Sequence, residues 1–160
     1  MSNQLRIGFG FDTHAFEPGL PLWIGGICIP FEKGSKGHSD ADVLLHALCD
    51  ALLGAAALND IGTHFPDTDP RYKGIASEKL LLQTMEMVQK QGYSIVNIDS
   101  TICLEKPVLK THIPAMQKRI AEILQIGAGQ VSIKAKTSEK LGFLGRGEGV
   151  SAYAVVLLSL

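Results

Sequence analysis

The chain has 160 residues, 46% of them hydrophobic and 19% charged, values of a single folded domain that argue against disorder. Fifteen Lys and Arg against sixteen Asp and Glu leave a formal net charge of −1, too balanced for the basic face of a nucleic-acid binder. Its most continuous apolar stretches, such as Ala51 to Leu58 and Val155 to Leu158, fall short of the ~20 residues that span a bilayer, so no membrane span is expected. Residues 1–6 show no basic start followed by an apolar run; export is not expected, and a cytoplasmic location is. Cys28, Cys49 and Cys103 are odd in number, lack CxxC spacing and have apolar neighbours, so they read as buried thiols of a reducing compartment.

Leu5, Ile7, Phe9 and Phe11 alternate with Arg6, Gly8 and Gly10, the period of a strand, which runs into Asp12-Thr13-His14. Leu22-Trp23-Ile24 and Ile27-Cys28-Ile29 flank Gly25-Gly26, which permits the positive φ angles of a tight hairpin. Ser39 or Asp40 is expected to cap an Ala/Leu-rich helix running to about Leu58. Asn59 to Gly74, with Gly62, Pro66, Pro70 and three aspartates, reads as a long functional loop. A second helix opens at Ser77 and stops at Gly92. The alternation of Val96 to Leu104 follows as a strand, then a helix over Ile113 to Ile123 with Gly127 as its stop. Val131 to Lys136 alternates again, Gly142 to Gly149 is a Gly-rich loop, and Val150 to Leu158 is a strand apolar on nearly every residue. The expected class is α/β: a sheet with helices packed on one face, plus a peripheral β-hairpin. The remaining sheet face needs a cover, which a neighbouring copy of the chain would supply.

Asp12 and His14 lie two apart on a strand and therefore on one side of the pleat. His46 sits mid-helix among Leu44, Leu45, Ala47 and Leu48, where an imidazole needs a partner. One carboxylate and two imidazoles would leave a fourth position open on a tetrahedral Zn²⁺; the plainer alternative is a core histidine bonded to Asp42 or Asp50. His38-Ser39 before a helix suits a phosphate, or Ser39 simply caps. Thr137-Ser138-Glu139-Lys140 mixes the groups that hold a diphosphate and a hard cation such as Mg²⁺. Gly142 to Gly149 is neither a P-loop nor a dinucleotide fingerprint, and no Gly-x-Ser-x-Gly elbow is present. Cys49 and Cys103 lack a cationic neighbour and are not expected to act as thiolates. His64 and His112 each precede an apolar residue and a proline, and read as structural or surface residues.

Taken together, Asp12-Thr13-His14, Ile24-Gly25-Gly26, His38-Ser39-Asp40-Ala41-Asp42, the run His46 to Gly54, Asp60-Ile61-Gly62, Phe65-Pro66-Asp67-Thr68-Asp69 and Thr137 to Phe143 resemble, in order and spacing, the 2-C-methyl-D-erythritol 2,4-cyclodiphosphate synthases of the non-mevalonate isoprenoid pathway. The resemblance runs from about Leu5 to Leu158. It implies that 4-diphosphocytidyl-2-C-methyl-D-erythritol 2-phosphate cyclises with release of CMP, the substrate's own 2-phosphate attacking the β-phosphorus. It further implies Zn²⁺ or another divalent metal on Asp12, His14 and His46, with Asp42 and Asp50 behind His46. Glu139 would hold Mg²⁺ or Mn²⁺ against the diphosphate, which Thr137 and Ser138 steady, and His38 and Ser39 would take the 2-phosphate; His38 and Ser138 are the catalytic positions. Asp60, Ile61 and Gly62 would hold the erythritol under a flap bearing Phe65, Asp67 and Asp69, and Leu104, Pro107, Val108 and Leu109 would form a cytosine pocket. The implied assembly is a homotrimer with sites between subunits and an axial cavity for an isoprenoid diphosphate near Phe143 and Arg146. Val108 stands where the family commonly has a lysine, leaving Lys106 or Lys110 to replace it, and Lys136 where some members have Thr. A zinc hydrolase and a non-catalytic sensor of isoprenoid diphosphates remain as alternatives.

Overall fold

The computed structural model describes residues 4–160; residues 1–3, on which the expectation about export partly rests, lie outside the described residues. Strand β1 (Leu5–Pro18) is longer than its alternating segment foretold, because its far end pairs with an unforeseen short strand, β4 (Lys33–Ser35). Gly8 and Gly10 explain what lies on its inner face. A Cβ at Gly10 would stand 1.8 Å from the Ala47 carbonyl oxygen, and one at Gly8 1.9 Å from that of Ala51, so helix α1 (Val43–Ala55) lies directly on the strand. Residues of the same parity, Asp12 and His14, therefore face the helix that carries His46.

Helix α1 begins later than expected. Its N-cap is Asp42, not Ser39 or Asp40, since Asp42 accepts the Leu45 amide at 3.1 Å while Ala41 turns the chain at φ 55°. It ends at Ala55, three residues before Leu58. Its Leu, Val and Ala side chains are buried on almost every side, with β1 and β7 (Gly149–Ser159) beneath and α3 (Ser77–Lys90) above.

The sheet order is β4-β1-β7-β5-β6, with β5 at Ser94–Cys103 and β6 at Val131–Lys136. β7 runs antiparallel to both neighbours, and β5 and β6 are parallel, joined through α4 (Ile113–Leu124), which packs on β6. Gln125 in the left-handed region, not Gly127, stops α4. β2 (Leu22–Ile24) and β3 (Ile27–Ile29) pair around Gly25-Gly26, both at positive φ. Cys28 of that hairpin is exposed, contrary to expectation, because the alternation of β3 turns Ile29 inward instead. The long loop contains a short helix, α2 (Ile61–His64), and a 3₁₀ turn at Pro70–Tyr72; the Gly-rich loop contains α5 (Gly142–Gly145).

Helices cover one face of the sheet. On that side Val150, Ala152, Ala154, Val156 and Leu158 of β7 are fully buried. On the other, Ile7 is 73% and Phe9 63% exposed, beside Leu5, Phe11, Tyr153 and Val155. Within the chain, then, β7 is covered on one side only. Among the described residues no helix is long and apolar enough to cross a membrane.

Candidate active site and metal centre

Three ligand atoms converge between β1 and α1. Asp12 Oδ2 lies 2.8 Å from His14 Nε2 and 3.0 Å from His46 Nδ1, and the two nitrogens are 3.2 Å apart. Among the described residues this is the one such group of three, and it is half-buried. The other nitrogen of His14, Nδ1, lies 3.0 Å from the Lys36 carbonyl oxygen. A carbonyl only accepts, so a neutral His14 carries its hydrogen on Nδ1 and turns the Nε2 lone pair toward Asp12. Acceptors packed this closely need a proton or a cation among them. Without a cation, burial opposes charge on both partners, yet the bonds with His14 and His46 hold the Asp12 carboxyl well below its ordinary range, and Asp12 in turn raises His14. The donor set of one carboxylate and two imidazoles on rigid elements, with solvent access on one side, fits a divalent metal with an open coordination position.

Behind His46 the structure corrects the expectation. Neither Asp42 nor Asp50 bonds to the imidazole. Asp42 is fully buried and accepts the amides of Gly25 at 2.9 Å, Gly26 at 2.7 Å and Leu45, fastening the β2–β3 turn to α1. Asp50 accepts the Ile61 amide at 2.7 Å and anchors α2. Burial raises both carboxyls above the usual range despite these bonds. The group at His46 Nε2 is instead the Ser77 hydroxyl, at 2.8 Å, with Ser39 Oγ at 3.1 Å. A serine opening a helix reads as a cap, which is why Ser77 escaped notice.

His14 and His46 form one wall of a cleft of about 180 Å³, with His38, Ser39, Ile61, Gly62, Phe65 and Asp67 around it. Tyr72, Ile75 and Leu80 complete the lining and were not foreseen; Tyr72 meets Phe65 edge to face at 5.4 Å. Asp60 and Asp69 are engaged locally, Asp60 with the amide and hydroxyl of Thr63 and Asp69 with Arg71 at 2.6 Å.

A second hollow, about 150 Å³, is formed by Leu104, Pro107, Val108, Leu109, Lys110, Lys136 and Thr137. Lys110 therefore borders it, whereas Lys106 lines a separate groove with Lys33, Lys140 and Arg146. Leu104 and Leu109 are buried, and Val108 is 75% exposed. Ser138, Glu139 and Lys140 follow on a turn in which Glu139 and Lys140 both have positive φ, and Glu105 holds it by accepting the amides of Ser138 at 3.1 Å and Lys140 at 3.0 Å. Glu139 does not join the Asp12 cluster and accepts a bond from the Thr137 hydroxyl. Arg146 is paired with Glu148 at 2.8 Å, and Phe143 is partly exposed. In register, Cys103 faces Ser151 and Ser151 faces Thr13, so the strands that lead to the hollow and the triad, two strand spacings or ~10 Å apart, reach them at the same end of the sheet. Cys49 is buried with its thiol pushed up to about 12 by desolvation, in keeping with a packing role. His64 bonds to the Leu58 carbonyl at 2.6 Å, a structural contact.

This combination, a helix-backed mixed sheet with a half-buried Asp/His/His cluster at the mouth of a cleft, defines a metal-competent α/β protein with a small-molecule site. The profile of the YgbB family matches residues 5–159, and the chain belongs to that family. A 2-C-methyl-D-erythritol 2,4-cyclodiphosphate synthase of Porphyromonas gingivalis is 60% identical over 158 residues, which are 99% of this chain and 98% of that protein. Among solved structures, the bifunctional IspDF of Campylobacter jejuni superposes with a TM-score of 0.95 and 43% identity; it covers 99% of this chain, which spans 43% of that longer one. A 2C-methyl-D-erythritol-2,4-cyclodiphosphate synthase in its CDP-bound form gives a TM-score of 0.89 at 40% identity, covering 96% of this chain and 99% of its own.

Proposed function

We propose that this chain is a cyclodiphosphate synthase that acts as one domain, converting 4-diphosphocytidyl-2-C-methyl-D-erythritol 2-phosphate to 2-C-methyl-D-erythritol 2,4-cyclodiphosphate and CMP. The observation that carries the reading is the convergence of Asp12, His14 and His46, whose two histidines line the cleft with His38, Ser39, Ile61, Gly62 and Phe65. The 2-phosphate oxygen bonds to the β-phosphorus and the bond from that phosphorus to the CMP oxygen breaks. The nucleophile is already an anion, so the protein needs no side-chain nucleophile. It must instead bring like-charged phosphates together and hold them in line.

Asp12, His14 and His46 would hold Zn²⁺, whose bound charge supplies Lewis-acid polarisation of the phosphates. His38 and the Ser39 hydroxyl would bind the 2-phosphate, and Ile61 and Gly62 would flank the erythritol with Asp60. Phe65 and Tyr72, packed on each other, would close the segment bearing Asp67 and Asp69 over it and exclude water. Thr137, Ser138 and Glu139 would hold the diphosphate with Mg²⁺ or Mn²⁺, and the hollow from Leu104 to Lys110 would take the cytosine, Lys110 standing where the absent lysine would have met a phosphate.

The exposed apolar row of Leu5, Ile7, Phe9, Phe11, Tyr153 and Val155 supports burial against other copies in a homotrimer. Such an assembly would let the hollow of one subunit complete the cleft of the next, and would set Phe143 and Arg146 near an axial cavity suited to an isoprenoid diphosphate.

The test is ³¹P NMR of the cytidine diphosphate substrate with Mg²⁺ and either wild type or His46→Ala. Cyclic diphosphate and CMP from wild type alone are the expected result. A linear phosphate product would make the chain a hydrolase, and no turnover by Zn²⁺-loaded wild type would leave a binding protein.

A further inference from the structure

We infer that Ser77, acting with Asp40, is a positioning residue that sets which nitrogen of His46 faces the metal position; the inference rests on the metal reading of the cluster. Ser77 is the first residue of α3 and is fully buried. Its hydroxyl touches Asp40 Oδ1, its amide donates to Asp40 Oδ2 at 2.9 Å, and its oxygen lies 2.8 Å from His46 Nε2.

With a cation among Asp12, His14 and His46, the donors and acceptors along this chain of bonds leave one arrangement. A carboxylate only accepts, so the Ser77 hydroxyl spends its one hydrogen on Asp40. The Ser77 oxygen then faces His46 Nε2 with lone pairs only, and a favourable contact requires the hydrogen of a neutral His46 to be on Nε2. Nδ1 is left as the lone pair, and Nδ1 is the atom 3.0 Å from Asp12 Oδ2 and 3.2 Å from His14 Nε2. Ser39 Oγ is farther from Nε2, at 3.1 Å; it accepts the Ala41 amide, and its own hydrogen can go to the Ser77 oxygen, 3.4 Å away, which leaves Nε2 to donate. The same logic holds for His14, where the Lys36 carbonyl fixes the outer nitrogen. One imidazole is thus oriented by backbone and the other by a buried hydroxyl whose own direction is imposed by a carboxylate.

Asp40 also ties this device to the end of the long loop: its amide donates to the Ile75 carbonyl at 3.1 Å, and the Gly74 amide donates to the His38 carbonyl at 2.8 Å. The start of α3, the end of the loop and the cleft-lining His38-Ser39 pair are therefore fastened at one point behind His46.

The experiment titrates Zn²⁺ into chelator-stripped full-length protein against a chromogenic chelator, for wild type, Ser77→Ala and Ser39→Ala. Loss of such a partner behind a ligating imidazole weakens metal affinity by about 10–100-fold, the effect expected for Ser77→Ala, with a smaller one for Ser39→Ala. Unchanged affinity in Ser77→Ala, or a larger loss in Ser39→Ala, would overturn the inference. Long-range ¹H–¹⁵N NMR of Zn²⁺-loaded wild type gives a variant-free readout: His46 is expected with its hydrogen on Nε2 and Nδ1 toward the metal, and the reverse overturns the assignment. Should wild type bind no Zn²⁺, the metal reading falls and the inference with it, an outcome distinct from Zn²⁺ bound with unchanged affinity in Ser77→Ala.

Discussion

The two hollows at the shared end of the sheet are built in different ways. The triad is made of side chains fixed on regular elements: Asp12 and His14 on β1 and His46 on α1, with Ser77 at the start of α3 behind it, each with a hydrogen-bond partner. The hollow from Leu104 to Thr137 is set on the irregular segment after β5 and on the end of β6, with Leu104 and Leu109 turned into the core and Val108 out to solvent. Rigid side-chain convergence suits a point charge such as a metal ion, whose ligands must be placed to within a fraction of an ångström. Exposed backbone amides and carbonyls suit a flat heterocycle that presents donors and acceptors along one edge. The difference implies that substitutions near the triad are severe and those in the hollow mild, except where a side chain holds the backbone itself.

Asp12→Asn should have the largest effect, because it removes the only charge among the three ligands. Loss of several kcal/mol of electrostatic stabilisation corresponds to about a 1,000-fold drop in kcat/KM. A chelator acting on wild type should give the same loss, reversed by added Zn²⁺; full activity after chelation would break the comparison at its root.

Gly10→Ala probes the placement of the cluster without touching a ligand. The new Cβ would meet the Ala47 backbone, which cannot yield without moving α1 off β1. The expected cost is about 3 kcal/mol, a fall of roughly 10 °C in Tm by calorimetry. A variant as stable as wild type would show that the strand and helix have slack, contrary to a rigid triad.

The same contrast decides what could be read in the sequence. Alternation in Leu5 to Phe11 and apolar spacing in Ile113 to Ile123 follow directly from period 2 and period 3.6, and the residue pair Asp12 and His14 falls on one face by parity alone. The Gly8 and Gly10 pair was legible as strand but not as a helix-contact stripe, since a glycine does not say which backbone comes close. The partners of Asp42, Asp50 and His46 were misassigned because helical spacing ranks residues on the same helix as neighbours, whereas these side chains all reach to other elements: the hairpin, α2 and α3. Lys110 and Lys106 sit four residues apart on one irregular loop, where neither period applies, and only the fold separates them into different hollows.

Within the hollow, Glu105 and Val108 sharpen the comparison at its mild end. One carboxylate oxygen of Glu105 accepts amides on both sides of Glu139, in a turn where two consecutive residues have left-handed backbone that would otherwise relax. Glu105→Ala leaves those amides without an acceptor and should raise KM for the cytidine diphosphate substrate about tenfold, while Glu105→Gln, which keeps a carbonyl oxygen at that place, should stay near wild type. Val108 points to solvent and holds no backbone group, so Val108→Ala should change KM by less than about threefold, the span of a surface substitution. Steady-state kinetics on the three variants orders them. A Val108 effect as large as that of Glu105→Ala would mean that an apolar side chain grips the base, and that the hollow is a side-chain site after all.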